Sequence, residues 1–128
     1  MPRTQVVFYQ EDENDVPVLD WLKQIRRSDQ RAYATCVAAI KRLADFGHEL
    51  RRPLADFVQK GIYELRVRRG RVNYRILYFF HGQGLAILGH ALTNEDKVPA
   101  TDIERALRRK NAFEADPVKH SYSEEEKA

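Results

Sequence analysis

The chain has 128 residues, 32% of them charged and 43% apolar, with a formal net charge of +3. That is the size and balance of one soluble domain able to bury its own core. No apolar run is long enough to span a membrane, and the opening MPRTQVVFYQ lacks the apolar stretch of a secretory signal, so a cytoplasmic protein is expected. The single cysteine, Cys36, excludes an internal disulfide and a cysteine-based metal cluster.

In chain order, Val6-Val7-Phe8-Tyr9 is short, apolar and β-prone, and reads as a first strand. The polar run from Glu11 ends it. Asn14 or Asp15 is expected to cap a helix whose first turn holds Pro17. Val18, Leu19, Leu22 and Ile25 follow helical spacing, with Trp21 beside them. Ser28 is expected to cap a longer second helix, with its stripe on Tyr33, Cys36, Val37, Ile40 and Leu43 and its stop at Gly47. Within that stripe Cys36 reads as a small buried apolar residue rather than a reactive thiol.

GHELRRPLADFVQKG reads as a loop anchored by Leu54 and Phe57. From Ile62 the period changes to two. IYELRVRR, RVNYRILYFF and GLAILGHAL form three successive strands, with turns at Gly70-Arg71 and at His81-Gly82-Gln83-Gly84. Pro99 precedes Thr101-Asp102-Ile103-Glu104, a capping box opening a last helix along Ile103, Ala106, Leu107 and Lys110. After Phe113 the periodicity stops. Residues 1–113 are therefore one domain, and 114–128, with five acidic and two basic residues, read as a flexible acidic tail. The order β-α-α-β-β-β-α implies an α+β fold: an antiparallel meander joined by the first strand and covered by helices.

The segment ELRVRRGRVNYR, Glu64 to Arg75, holds five arginines and supplies +4 of the +6 carried by residues 1–113. A local basic stripe suits a phosphate-rich partner, although charge runs are more often solvated faces. A two-residue turn with Gly70 in first position suits type II′ and pairs Arg69 with Val72, Arg68 with Asn73, Val67 with Tyr74 and Arg66 with Arg75. Tyr63, Leu65, Val67, Tyr74, Ile76 and Tyr78 then share a core face. Arg66, Arg68, Asn73 and Arg75 share the other face, beside Glu64, Leu77 and Phe79. Arg75 is expected to be exposed there, so that its loss would cost within about 0.5 kcal/mol. Directly opposed like charges at Arg66 and Arg75 disfavour folding by roughly a few tenths of a kcal/mol or more. An anion across the sheet would relieve them; so would neutralisation by Glu64 and other acids.

GIYELRVRRGRVNYRILYFF, with AILGHAL and KVPATDIERALRRK, resembles the RelE/ParE toxin superfamily, and within it the HigB-like, phage-derived host-killing toxins, from about Val6 to about Phe113. The resemblance implies a RelE-like twisted antiparallel sheet with two N-terminal helices packed on one face and a C-terminal helix. It implies the toxin of a type II toxin–antitoxin system, a metal-independent, cofactor-free endoribonuclease that cuts mRNA on the ribosome and inhibits translation. The implied partner is a cognate antitoxin, a helix-turn-helix protein. By motif position, Arg66 in YELR and Arg75 in YRI match the family's basic catalytic positions. Tyr74 matches the aromatic beside them, and Arg68, Arg69, Arg71 and Asn73 are RNA-binding candidates. His90 is the nearby residue whose ordinary pKa suits proton transfer, with a hydrogen-bonded strand-end histidine as the alternative. Glu64 is a base or an arginine partner. Many relatives carry two lysines after the last strand, whereas this chain has Asn94, Glu95 and Asp96 there and retains Lys97, which the resemblance makes a catalytic candidate. Acidic residues beside an RNA phosphate oppose binding. Two other readings remain: a ParE-like inhibitor of DNA gyrase, and a non-enzymatic binding module that keeps the toxin fold.

Overall fold

The structure, a computed structural model, describes residues 3–93 and 96–122. Its elements are β1 (Gln5–Phe8), α1 (Pro17–Ser28), α2 (Gln30–Phe46), β2 (Ala55–Gln59), β3 (Ile62–Arg69), β4 (Val72–His81), β5 (Leu85–Thr93) and α3 (Ala100–Ala115). One 3-10 turn, Gly47–Glu49, follows α2. Among the described residues no helix is long and apolar enough to cross a membrane.

The strands form one sheet in the order β1-β5-β4-β3-β2. The expected antiparallel meander is present from β3 to β5, with β2 added at its edge. The sheet as a whole is mixed, which corrects the expectation of a wholly antiparallel one: β1 pairs parallel to β5. Hairpin-linked strands must run antiparallel, but β1 is separated from β5 by two helices and three strands and is under no such constraint. The segment read as a loop around Leu54 and Phe57 contains β2, and Phe57 is no buried anchor, since 55% of it is exposed.

The β3–β4 register is the one expected, Arg69 against Val72 through Arg66 against Arg75 to Tyr63 against Tyr78. Gly70 has φ 61°, while Arg71 is not among the residues with positive φ, which suits type II′. At β2–β3, Lys60 and Gly61 both have positive φ, 51° and 84°, which suits type I′.

Helices cover both faces. α1 and α2 bury Val18, Leu22, Cys36 and Leu43 against Leu65, Ile76 and other residues of the first face. α3 buries Ala106 and Phe113 against Leu77, Phe79 and Ile87 on the opposite face. The expected helix starts shift. α1 begins at Pro17 after Val16, without a side-chain cap. Asp29 rather than Ser28 caps α2, its Oδ1 accepting from the backbone N–H groups of Arg31 and Ala32 at 3.1 Å. α3 starts at Ala100 after Pro99, without the capping box. Gly47 ends α2 with φ 52°, as expected.

Residues 114–122 are not a loose tail. α3 continues to Ala115, and the chain then returns to β1, where Ser121 bridges Tyr9 and Tyr122 donates its N–H to the Phe8 carbonyl. His120 is buried and stacks on Tyr9, with ring centroids 5.2 Å apart. Residues 123–128 lie outside the described residues.

Candidate functional site

Alternation along β3 and β4 puts Arg66 and Arg75 side by side on the α3 side of the sheet, beyond the part that α3 covers. Glu64, two residues before Arg66 on the same strand, shares that face. Its carboxylate takes up the like-charge opposition. Arg75 Nη1 donates to Oε1 and Oε2 at 3.0 and 3.1 Å, and Arg66 Nε lies 3.3 Å from Oε1. Asp56 of β2 extends the line, 4.0 Å from Arg66 and 3.0 Å from Arg52. The hydrogen bond from Arg52 holds the Asp56 carboxyl below the usual carboxylate range. Cation and anion thus alternate from Arg52 through Asp56, Arg66 and Glu64 to Arg75.

Arg75 is not on an exposed surface. It keeps 9% of its area accessible, and its Nη2 also donates to the Asp96 carbonyl at 2.6 Å. Asp96, beyond the end of β5, brings its carbonyl onto the guanidinium, which strand alternation alone does not reveal. Arg66 is the accessible member of the pair, with 43% of its side chain exposed. Beside it lies a groove of about 340 Å³ lined by Pro53, Leu54, Arg66, Arg68, Asn73 and Arg75.

The other basic candidates diverge. Arg68 is exposed and donates to the Gly70 carbonyl at 3.1 Å. Arg69 lies on the opposite face, 3.9 Å from Asp29 at the cap of α2. Arg71 is exposed in the turn. Tyr74 is buried edge-on against Trp21, whose Nε1–H donates to Thr93 Oγ1 at 3.0 Å. Lys97 is exposed and adjoins Asp96, the residue whose carbonyl holds Arg75. Asn94 and Glu95 lie outside the described residues.

A family model described as "Phage derived protein Gp49-like (DUF891)" matches residues 21–111, from α1 to near the end of α3 and across every candidate above. The chain belongs to this Gp49-like family. Comparison with curated proteins returns no match.

In this Gp49-like chain His90 does not join the arginine groove. It is buried opposite Leu77, beneath α3. Arg109 Nη1 donates to its Nδ1 at 3.2 Å, so Nε2 carries the proton and donates to Asp102 Oδ1 at 2.5 Å. Burial pushes the imidazole below its ordinary pKa, against the opposing pull of Asp102. Both ring nitrogens are engaged, so His90 links β5 to α3 through Asp102 and Arg109. The thiol of Cys36 is buried and pushed up to about 11 by desolvation, as its place in the α2 stripe implies.

Two members of the charged line, Arg52 and Asp56, were not among the candidates read from sequence. The only sequence signal for them is their i, i+4 spacing, which carries no weight in a segment read as a loop.

Proposed function

We propose that this Gp49-like protein is the toxin of a type II toxin–antitoxin pair and acts as a metal-independent, ribosome-dependent mRNA endoribonuclease. The observation that carries this reading is the pair of arginines on neighbouring strands, Arg66 and Arg75, facing one groove with their geometry fixed by Glu64. In the reaction the RNA 2′-hydroxyl gives its proton to a water molecule as its oxygen attacks the adjacent phosphorus, and the P–O5′ bond breaks to leave a 2′,3′-cyclic phosphate and a 5′-hydroxyl. The negative charge that builds on the non-bridging oxygens is of the kind pre-positioned guanidinium groups stabilise. Arg66, the accessible one, contacts the phosphate, and Arg75 braces it through their shared carboxylate. Lys97, exposed beside Asp96, supplies the proton to the leaving oxygen. His90 has no part in the chemistry on this reading.

A site with so few proton-transfer groups depends on substrate held close to in-line geometry, and positioning can lower a barrier by several kcal/mol, up to ~10. The ribosome supplies that positioning. The test is primer extension on one transcript, with and without translating ribosomes, for the wild type and Arg66→Ala. Cleavage is expected with ribosomes present, and loss of the arginine should lower it by about a hundredfold. Rapid, arginine-dependent cutting of naked RNA refutes ribosome dependence.

One observation favours a second reading. Glu64 already neutralises the arginine pair, which suits a non-enzymatic binding module as well as a nuclease. Absence of cleavage in both conditions selects that reading or gyrase inhibition, and a supercoiling assay separates the two.

A further inference from the structure

On the α2 side of the sheet, the 3-10 turn after α2 and the strands β2 to β4 enclose a second groove of about 360 Å³. Its walls are aromatic. The ring of His48 lies on Phe80 with centroids 3.7 Å apart and planes 23° from parallel. Tyr63 meets Phe57 edge-on at 5.3 Å and Phe80 edge-on at 5.4 Å. Its rim is basic. Arg51 donates to the His48 carbonyl at 3.3 Å, and Arg52, with 76% of its side chain exposed, pairs with Asp56.

The contact with Tyr63 leaves much of Phe57 uncovered. Phe57 sits on the edge strand β2 with 55% of its surface in water. Edge strands are ordinarily guarded by charge, twist or proline, and an open aromatic there is a liability unless something covers it. The segment bearing it, 51–57, is also the one whose Arg52 and Asp56 begin the charged line to Arg66 and Arg75. Aromatic groove and arginine pair therefore share a rim across the edge of the sheet.

We propose that the aromatic groove is a stacking subsite for one unpaired nucleobase of single-stranded RNA, whose flanking phosphates meet the exposed Arg51 and Arg52 at its rim. The inference rests on the reading of this chain as an RNA-binding protein. The volume lies at the small end of the ~300–1,000 Å³ usual for small-ligand sites, enough for a base and too small for a nucleotide pair. Flat aromatic walls accept any base through its π-face, and arginines at the mouth add phosphate attraction and cation–π contact. An apolar side chain of a protein partner would fill the groove but would make no use of the cationic rim.

The test uses a short fluorescein-labelled oligoribonucleotide, a fully abasic oligomer of equal charge, and the full chain. Phe57→Ala is expected to weaken binding of the intact oligomer about fivefold or more, with thermal unfolding unchanged and binding of the abasic oligomer unaffected. Phe57→Leu, which keeps apolar bulk without a π-face, should weaken it similarly. Phe57→Trp should retain affinity, and its added emission, over the Trp21 background of the wild type, should be quenched by the intact oligomer and not by the abasic one. Equal affinity of wild type and Phe57→Ala for the intact oligomer overturns the subsite and leaves the nuclease reading standing, provided that primer extension still shows Arg66-dependent cleavage. A Phe57→Trp signal that responds to a partner protein and to neither oligomer overturns it in favour of a protein-docking groove. Failure of the wild type to bind the intact oligomer more tightly than the abasic one overturns the subsite, and failure also to cleave RNA on ribosomes overturns the nuclease reading with it.

Discussion

Replacing Arg75 with alanine should destabilise the protein substantially, contrary to what a surface arginine would do. Arg75 and Glu64 retain 9% and 7% of their surfaces. The guanidinium donates to both oxygens of Glu64 and to the carbonyl of Asp96. Removing one partner of a buried pair costs about 3–5 kcal/mol, because the charge left behind is desolvated without compensation. Glu64 keeps Arg66 at 3.3 Å, but that side chain is 43% exposed and its attraction is weakened by water. The expected cost therefore sits at the low end, about 3 kcal/mol. For a domain of this length each kcal/mol moves Tm by roughly 3–5 °C, so a fall of roughly 10 °C is expected in thermal unfolding followed by circular dichroism at neutral pH. Adding Glu64→Gln removes the stranded charge, and the double variant should melt above the single one. A single variant within about 2 °C of wild type would refute the buried-pair account. So would a double variant that melts below it. On the toxin reading, any growth assay of Arg75→Ala must be read beside this melting curve, because less folded protein would weaken the effect as well.

Other outcomes follow from the same geometry. Burial lowers the folded-state pKa of His90, so the unfolded chain binds more protons between that value and about 6.5; stability should be full above pH ~6.5 and fall as pH drops towards the folded pKa. Urea unfolding from pH 7.5 to 5 should show this slope for wild type and a shallower one for His90→Gln; equal slopes refute it. The Cys36 thiol, buried and raised to about 11, should resist a disulfide reagent at pH 8 in the native protein and react at once in denaturant. His120→Ala removes the ring stacked on Tyr9 and should lower stability by about 1–2 kcal/mol, measured by urea denaturation; a loose C-terminal segment would show no change.

How much was legible in the sequence depends on how local the determining interaction is. The β3–β4 register follows from Gly70 and the alternation of apolar residues on either side, both within a dozen positions. β2 was hidden because ADFVQ is short and carries Asp56, a residue that strands disfavour; only β3 beside it makes it a strand. The cap of α2 moved by one residue because Ser28 and Asp29 are both competent caps and neighbours in sequence. For His90 the deciding partners, Asp102 and Arg109, lie on the next helix, and no local pattern states which side of α3 meets β5. The return of residues 116–122 to β1 rests on isolated backbone pairings, which leave no periodicity to read.

Alternation assigned Arg75 to the correct face but said nothing of depth. Leu77 and Phe79 on that same face were the available sign that it is covered for part of its length. The fate of the five arginines then changes what the basic stripe can do. Asp29 stands beside Arg69, Glu64 engages Arg66 and Arg75, and Asp56 lies between Arg52 and Arg66. Much of the positive charge counted along the sequence is therefore balanced within the fold, and Arg68 and Arg71 are its more open members. A surface so balanced has little long-range pull on RNA in solution, since capture at a distance depends on net unscreened charge. What it retains is orientation: guanidinium groups fixed by carboxylates at hydrogen-bonding distance, which act on a phosphate only once it has been delivered. The carboxylates that weaken the stripe as an RNA trap are thus the ones that make it rigid, and this division of labour is what the ribosome-dependent reading requires.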